Sequence, residues 1–298
     1  MSTRTEKRLN GVYAMAERLA FGDGDRLVLM SDCHRGDGSQ ADNFLHNQTL
    51  YTAALAQYAR EGYTYIELGD GDELWENTAV CDIADAHRGV FDRLAQLHTD
   101  GRLYMLYGNH DLCKRGENFG KAITACSYDN CRCRVPLFPA LRAQEGLVLC
   151  HADSGGELLL VHGHQADVFN DRFWRVGQWL VRHLWRPLEL IGVRDPTSAA
   201  KNYRKKGAVE RRLSRWADTH PPLLIAGHTH RPMLPAPGEG RYFNDGSAVH
   251  PSGVAALEIA GGEVRLVKWH YQIRDGGAVY AGRETLAGPH PLRAYFSS

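Results

Sequence analysis

The stretch YMLYGNHDLC, residues 104–113, decides how this chain is read. A hydrophobic run stops at Gly108 and is followed at once by Asn109, His110 and Asp111. A strand ending at Tyr107 would deliver three polar, chemically able side chains to the edge of a sheet. One such edge proves little. The question is whether other strands end the same way.

Several do. VLMSDCHRGDG places Asp32 and His34 just after an apolar run, one residue apart, so both can face the same side of an extended turn. YIELGDGDELWEN places Asp70, Asp72 and Glu73 after another. LLLVHGHQAD ends in His162 and His164, and LLIAGHTHRP in His228 and His230. In open α/β sheets the carboxyl ends of strands are where ligand sites form, and glycines there let the backbone turn sharply. Each motif alone is weak. Asp-x-His is most often a turn or a satisfied polar pair, and Gly-Asn-His-Asp can be an Asx-turn. Their joint occurrence is different, because no structural account needs carboxylates, an amide and imidazoles at every strand exit. A polynuclear metal site does.

Carboxylate, imidazole and amide oxygen without thiolate suit two divalent ions, Mn²⁺ first, with Fe²⁺, Zn²⁺ and Co²⁺ as alternatives. Paired ions ~3.5–4 Å apart would activate a water and clamp a phosphoryl group during in-line displacement. Asn109 would offer an uncharged oxygen to one ion, with His110 beside it to work on the leaving group.

Around these motifs, strands are expected at Leu27–Ser31, Tyr63–Leu68, Leu103–Tyr107, Leu147–Cys150, Leu158–Val161, Leu223–Ala226, Val254–Ile259 and Val264–Trp269. Helical patterns at about Phe44–Arg60 and Asp82–Leu97 separate the first three, which predicts parallel pairing. Strands with short connections in the last third predict antiparallel pairs. The expected fold is α/β: two packed mixed sheets flanked by helices, in one domain over 1–298, with a helical lid insert at about 168–217. Within the insert, Phe169, Phe173, Val176, Leu180, Leu184 and Leu188 recur every three or four residues, with Arg172, Arg175, Arg182 and Arg186 between them. That is a basic amphipathic helix, disturbed at Pro187, readable as a cover for the core or as a surface-seeking lid.

The ordered set Asp-x-His, Gly-Asp-x-x-Glu, Gly-Asn-His-Asp, His-Gly and Gly-His-Thr-His, from Asp32 to His230, resembles the calcineurin-like metallophosphoesterase superfamily. The resemblance implies a sandwich of two mixed sheets with a dimetal centre at the strand ends. By position, Asp32, His34 and His230 would hold one metal, Asp70 would bridge, and Asn109, His162 and His228 would hold the other. His110 would protonate the leaving oxygen, with Asp111 orienting it, and such help is commonly worth ~10²–10⁴-fold. His164, Asp72 and Glu73 would support neighbouring ligands, or in the case of His164 face the substrate. The insert resembles that of UDP-2,3-diacylglucosamine hydrolases, which cleave a pyrophosphate, although those carry Arg where this chain has His110 and are shorter. The implied substrate is a small phosphorylated or diphosphate compound, nucleotide-sugar or lipid-like. The alternatives are a serine/threonine protein phosphatase or phosphomonoesterase, and lastly a non-catalytic scaffold.

Other residues keep two readings. Arg35 could reach a substrate phosphate bidentately or form a structural salt bridge. Arg204, Lys205 and Lys206 could bind phosphate or form a solvated face. Asn244 reads as a plain turn. Cys33 should point away from the ligands beside it. Cys113, Cys126, Cys131, Cys133 and Cys150 read as free thiols, with a structural zinc the lesser alternative.

Bulk properties fit a cytoplasmic enzyme. The 298 residues carry 35 basic and 35 acidic side chains, so no duplex nucleic acid is expected as a partner. The charged start, MSTRTEKRLNGVYAMAERLA, lacks an apolar core of signal-peptide length. Seven cysteines without such a signal read as reduced thiols. Peripheral membrane contact is conceivable only through the insert, around Trp174, Trp179 and Trp185.

Overall fold

A computed structural model describes residues 3–116, 137–185 and 203–296. The strands are β1 Glu17–Phe21, β2 Arg26–Met30, β3 Thr64–Leu68, β4 Leu103–Leu106, β5 Gly146–His151, β6 Glu157–Val161, β7 Leu223–Ala226, β8 Tyr242–Asn244, β9 Val254–Ala260, β10 Glu263–Ile273 and β11 Val279–Pro291. They form a sheet of order β1-β5-β6-β7-β8 and another of order β11-β10-β9-β2-β3-β4. Helices α1 Arg4–Met15, α2 Gln48–Arg60, α3 Val80–Ala86 and α4 Arg88–Thr99 precede β5.

The pleat of β2 explains the layering. Alternate side chains face opposite sides of a strand. Leu27 and Leu29 therefore enter a core with Ile66, Leu68, Leu149, Leu160, Ile225 and Leu257, drawn from both sheets. Val28 and Met30 face the other way, onto Tyr51, Leu55, Phe91 and Leu94 of α2 and α4. A third cluster joins Leu9 and Val12 of α1 to Val148, Leu159 and Leu224 on the far side of the other sheet. The result is a helix–sheet–sheet–helix sandwich. All eight expected strands form, and β2, β3 and β4 pair in parallel.

Several local outcomes differ from the pattern reading. The helix expected at 82–97 is two helices, because the backbone leaves helical geometry at His87 (φ −113°, ψ 36°), whose buried ring meets Asp42 at 2.7 Å. In the last third, antiparallel pairing begins only at β9, since β7 and β8 are parallel, and the earlier β5 and β6 are already antiparallel. The missed strands β1, β8 and β11 lack alternation: β11 contains Gly and Pro and takes its register from β10. Helix α1 was also missed, though a reciprocal capping box at Thr3 and Glu6 starts it.

The insert splits into unlike parts. Its amphipathic stretch is three short pieces, α5 Val168–Arg172, α6 Trp174–Leu180 and a π-helical turn at Val181–Trp185. Phe169, Phe173, Val176 and Leu184 are exposed, so the reading as a core cover is overturned: among the described side chains of these pieces the buried residue is Gly177. Pro187 and Leu188 lie outside the described residues. The end of the insert is not lid at all. Helix α7, Tyr203–Ala217, buries Val209, Leu213 and Trp216 beside Leu159 and Leu224, as one of the sandwich's outer helices.

Cys81 is disulfide-bonded, which corrects the expectation of wholly reduced thiols. Cys33, Cys113 and Cys150 are free, and Cys126, Cys131 and Cys133 lie outside the described residues. Among the described residues no helix is long and apolar enough to cross a membrane.

Candidate metal centre

The turns after β2, β3, β4, β6 and β7 are hydrogen-bonded into one another. Backbone N–H groups of Asp32, His34 and Arg35 donate to the carbonyls of Gly69, Asp70 and Gly71 at 2.9–3.1 Å. The N–H of His110 donates to Asp70 Oδ1 at 2.8 Å, and that of His228 to Asp32 Oδ2 at 2.8 Å. Gly227 N–H donates to the His162 carbonyl at 3.0 Å. These strand ends are thus a single object. Gly108 is required for steric reasons, since a Cβ there would stand 2.1 Å from Asp70 Oδ1.

Backbone strain collects at the same place. Among the described residues, the non-glycine positions with positive φ are Asp32, His34, Asp70, His228, His230 and Ala140. All but Ala140 belong to the strand-end motifs. Such conformations cost ~1–3 kcal/mol each and persist only where surrounding structure over-determines them.

The side chains converge in overlapping groups. Donor atoms of Asp32, His34 and His230 lie within 4.8 Å of one another, as do those of Asp70, His162 and His228. One oxygen, Asp70 Oδ2, stands 3.9 Å from His34 Nε2 and 3.1 Å from His162 Nε2, so it faces both groups. Asp32, Asp70, Asn109 and His162 are at most 1% exposed. Yet His228 Nε2 and both amide atoms of Asn109 have no hydrogen-bond partner among the described residues, while Asp32 Oδ1 and His162 Nε2 meet other members of the set, His230 Nε2 at 3.0 Å and Asp70 Oδ2 at 3.1 Å. Buried polar atoms without partners are costly, and a set of them aimed at one another fits a cation. The donors are oxygen and imidazole nitrogen without thiolate, which suits borderline divalent ions. The local charge is consistent with this. Burial alone would lower the His162 pKa, but Asp70 and Asp32 outweigh it and push it up to about 9. A cation binding there displaces that proton.

A family model of the calcineurin-like phosphoesterases matches residues 25–232. The chain belongs to the calcineurin-like phosphoesterase family. That family consists of phosphoric ester hydrolases that typically bind two divalent metals, and this chain is therefore placed among metal-dependent phosphoester hydrolases. No curated protein matches it. Similar solved structures include a variant of a cold-active protein tyrosine phosphatase, at 15% identity, covering 96% of this chain and 85% of that one with TM-score 0.42. A cold-active protein tyrosine phosphatase of the psychrophile Shewanella sp. is similar at 13% identity, with 96% and 85% coverage and TM-score 0.39.

In this calcineurin-like site His110 stands at the rim, its side chain 22% exposed. Its Nδ1 lies 2.8 Å from Glu73 Oε1, and the other Glu73 oxygen is 2.9 Å from His34 Nδ1. The carboxylate that meets the His110 ring is therefore that of Glu73. This corrects the expectation for Asp111, whose carboxylate instead accepts the backbone N–H of Gly108 at 2.6 Å and of Gly71 at 3.1 Å, and pairs with Lys114 at 2.8 Å. Asp111 shapes the two turns rather than the ring.

Arg35 is also corrected. It is fully buried, forked onto Glu67 at 2.8 and 3.0 Å and bonded to Asp72 at 2.6 Å, so it is a structural ion pair and not a phosphate contact. His164 is 1% exposed beside His162, with ring centroids 5.6 Å apart. The side chains of Arg204 and Lys205 lie outside the described residues. Cys33 points into the core, as expected.

Other residues at the site carried little sequence signal. Asn244, read as a plain turn, is buried and donates to the Gly227 carbonyl at 2.7 Å and to Thr229 Oγ1 at 3.2 Å, holding the loop that carries His228. Asp167 Oδ2 stands 3.6 Å from His228 Nε2. Buried Asp245 meets Ser31 Oγ at 2.8 Å, and that hydroxyl lies 2.5 Å from Asp32 Oδ2.

Proposed function

We propose that this chain is a dimetal phosphohydrolase that cleaves a phosphodiester or diphosphate with water. The observation that carries the reading is the Asp70 carboxylate oxygen facing both ligand groups. Asp32, His34 and His230 would hold one ion, Asn109, His162 and His228 the other, and Asp70 both, with Mn²⁺ the first candidate. Bound there, the ions supply Lewis-acid polarisation of phosphoryl oxygens and a water ionised near neutral pH.

The remaining work falls to the chain itself. Glu73 holds His110 through Nδ1, which leaves Nε2 for the substrate. As the water oxygen bonds to phosphorus and the P–O bond breaks, His110 gives its proton to the leaving oxygen. Buried ligand carboxylates keep their charge in a low dielectric and gain force from it. Exposed Phe169, Phe173, Val176 and Trp179, with exposed Arg172 and Arg175 among them, support an amphipathic substrate. That agrees with the sequence likeness of the insert to that of the diacylglucosamine hydrolases.

The test is hydrolysis of bis-p-nitrophenyl phosphate, p-nitrophenyl phosphate and a UDP-sugar diphosphate by Mn²⁺-loaded protein, with the Asn109→Ala, His110→Ala double variant as control. Diester or diphosphate turnover lost in the control is expected. Preference for the monoester would move the assignment to a phosphatase, and turnover surviving in the control would refute the site.

A further inference from the structure

We infer that Trp75 and Arg182 are positioning residues for His110, through which the insert sets the geometry of the acid at the metal centre. The inference rests on the phosphohydrolase reading above.

Glu73 fixes only one end of the His110 ring. A single hydrogen bond at Nδ1 leaves the imidazole able to swing about that contact, and productive acid catalysis tolerates little such freedom. The structure blocks the swing from both sides. Trp75 lies on one face of His110, with centroids 4.1 Å apart and planes 23° apart. His34 stands edge-on to the ring at 4.7 Å and 83°. The Trp75 indole is 5% exposed, and its Nε1 has no hydrogen-bond partner among the described residues. No side-chain hydrogen bond fixes the indole, so packing and its own backbone must do so.

The insert supplies both. Arg182 donates from Nε to the Trp75 carbonyl at 3.1 Å and from Nη2 to the Leu74 carbonyl at 3.2 Å. Gln178 Nε2 donates to the same Leu74 carbonyl at 3.3 Å. Gly177 lies against the outer edge of the indole: a Cβ there would come within 3.1 Å of Cη2 and Cζ3. Two adjacent carbonyls and one ring edge are thus held by a single turn of the insert. The same segment carries the exposed side chains of Phe169, Phe173, Val176 and Trp179. A ligand engaging those side chains would act on His110 along this path.

The test separates geometry from chemistry. In Zn²⁺-loaded protein, the ring-proton NMR signal of His110 should carry an upfield shift from the Trp75 face. Arg182→Ala and Gly177→Val should move it toward the position it takes in Trp75→Leu. In Mn²⁺-loaded protein, hydrolysis of a methyl phosphodiester, whose leaving group needs a proton, should fall at least ~10-fold in those variants. A dinitrophenyl diester, whose leaving group does not, should change less than ~3-fold. Trp75→Phe, which keeps a flat ring, should restore the methyl ester rate. An unmoved His110 signal in Arg182→Ala would overturn the coupling, and an equal fall for both esters would overturn the positioning role. Failure of the phosphohydrolase reading would show separately, as no turnover of either ester by the metal-loaded parent or turnover that survives Asn109→Ala, while the NMR comparison still decides the coupling.

Discussion

Nζ of Lys114 lies 2.8 Å from Oδ2 of Asp111 in a site where neither side chain is more than 1% exposed. Lys114 also stands 2.7 Å from Asp72, and Arg35 joins Asp72 to Glu67. Two cations and three carboxylates therefore lie buried beneath the turns that carry Asp70 and Asn109. Removing one partner of such a set leaves uncompensated charge, at a cost of ~3–5 kcal/mol. Lys114→Met should lose that much in urea unfolding and should weaken metal binding, because Asp111 would no longer hold the Gly71 and Gly108 amides. A loss below ~1 kcal/mol would mean that the cluster is not a stabilising unit.

Asp245 gives a pH signature. Burial first, then the neighbouring charge of Asp32, holds its carboxyl well above the ordinary range, so it carries a proton in the folded protein. The unfolded chain releases that proton above about pH 4. The contribution is therefore complete below that pH and is lost as pH rises toward the folded-state pKa. Asp245→Asn lacks the term. In metal-free protein the variant should gain on the parent as pH rises above about 4, by at most ~1.4 kcal/mol per pH unit, until the parent's folded-state carboxyl ionises. A difference that does not change with pH would refute it.

What could be read from the chain followed from how local each signal was. Asp32, His34, Asp70, Asn109, His110, His162, His228 and His230 each sit within a few residues of an apolar run, so every strand end announced itself. The structure brings those ends together because parallel β2, β3 and β4, and parallel β6 and β7, all point their carboxyl ends the same way. Long-range partners gave no such signal. Glu73 bridges two imidazoles from separate turns, and its role depends on a side-chain meeting that spacing does not encode. Glu67 lies in an apolar strand and Lys114 in a 3₁₀ turn, and only folding makes them partners of Arg35 and Asp111. The insert misled for a physical reason: its periodicity fits a buried face, but Gly177, invisible to hydrophobicity, makes the contact.

Glu73 should separate metal binding from turnover. Burial alone would raise its pKa, but His110 and His34 override this and hold the carboxyl down to about 2. Both oxygens lie close to His110 Nδ1, at 2.8 and 2.7 Å, and Oε2 also meets His34 Nδ1 at 2.9 Å. In Glu73→Gln the amide NH₂ cannot accept from a ring N–H and the negative charge is gone, so both histidines must share one neutral carbonyl oxygen. Outer partners of this kind are worth ~10–100-fold. The variant should bind two metals by calorimetry with kcat reduced in that range, and Glu73→Ala should fall further. Unchanged kcat in both would return His110 to Asp111 for its orientation.

Gly108→Ala tests whether the close approach of the turns, and not the ligand identities alone, makes the centre. The added methyl would sit 2.1 Å from Asp70 Oδ1 and 2.7 Å from the Asp70 amide, so either the carboxylate or the β4 turn must move. Asp70 Oδ1 also accepts the His110 N–H, so a shift there displaces the acid together with the shared ligand. The core of the two sheets does not pass through this turn, and the fold should persist, with far-ultraviolet circular dichroism unchanged. A ligand that binds only the folded state raises Tm by mass action, with ~2.7 kcal/mol at one hundred times Kd. Mn²⁺ added to chelator-treated parent protein should therefore raise Tm by several degrees, while Gly108→Ala should show almost no rise. A full Mn²⁺-dependent rise in the variant would show that Asp70 tolerates displacement, and the shared-carboxylate reading would then fail.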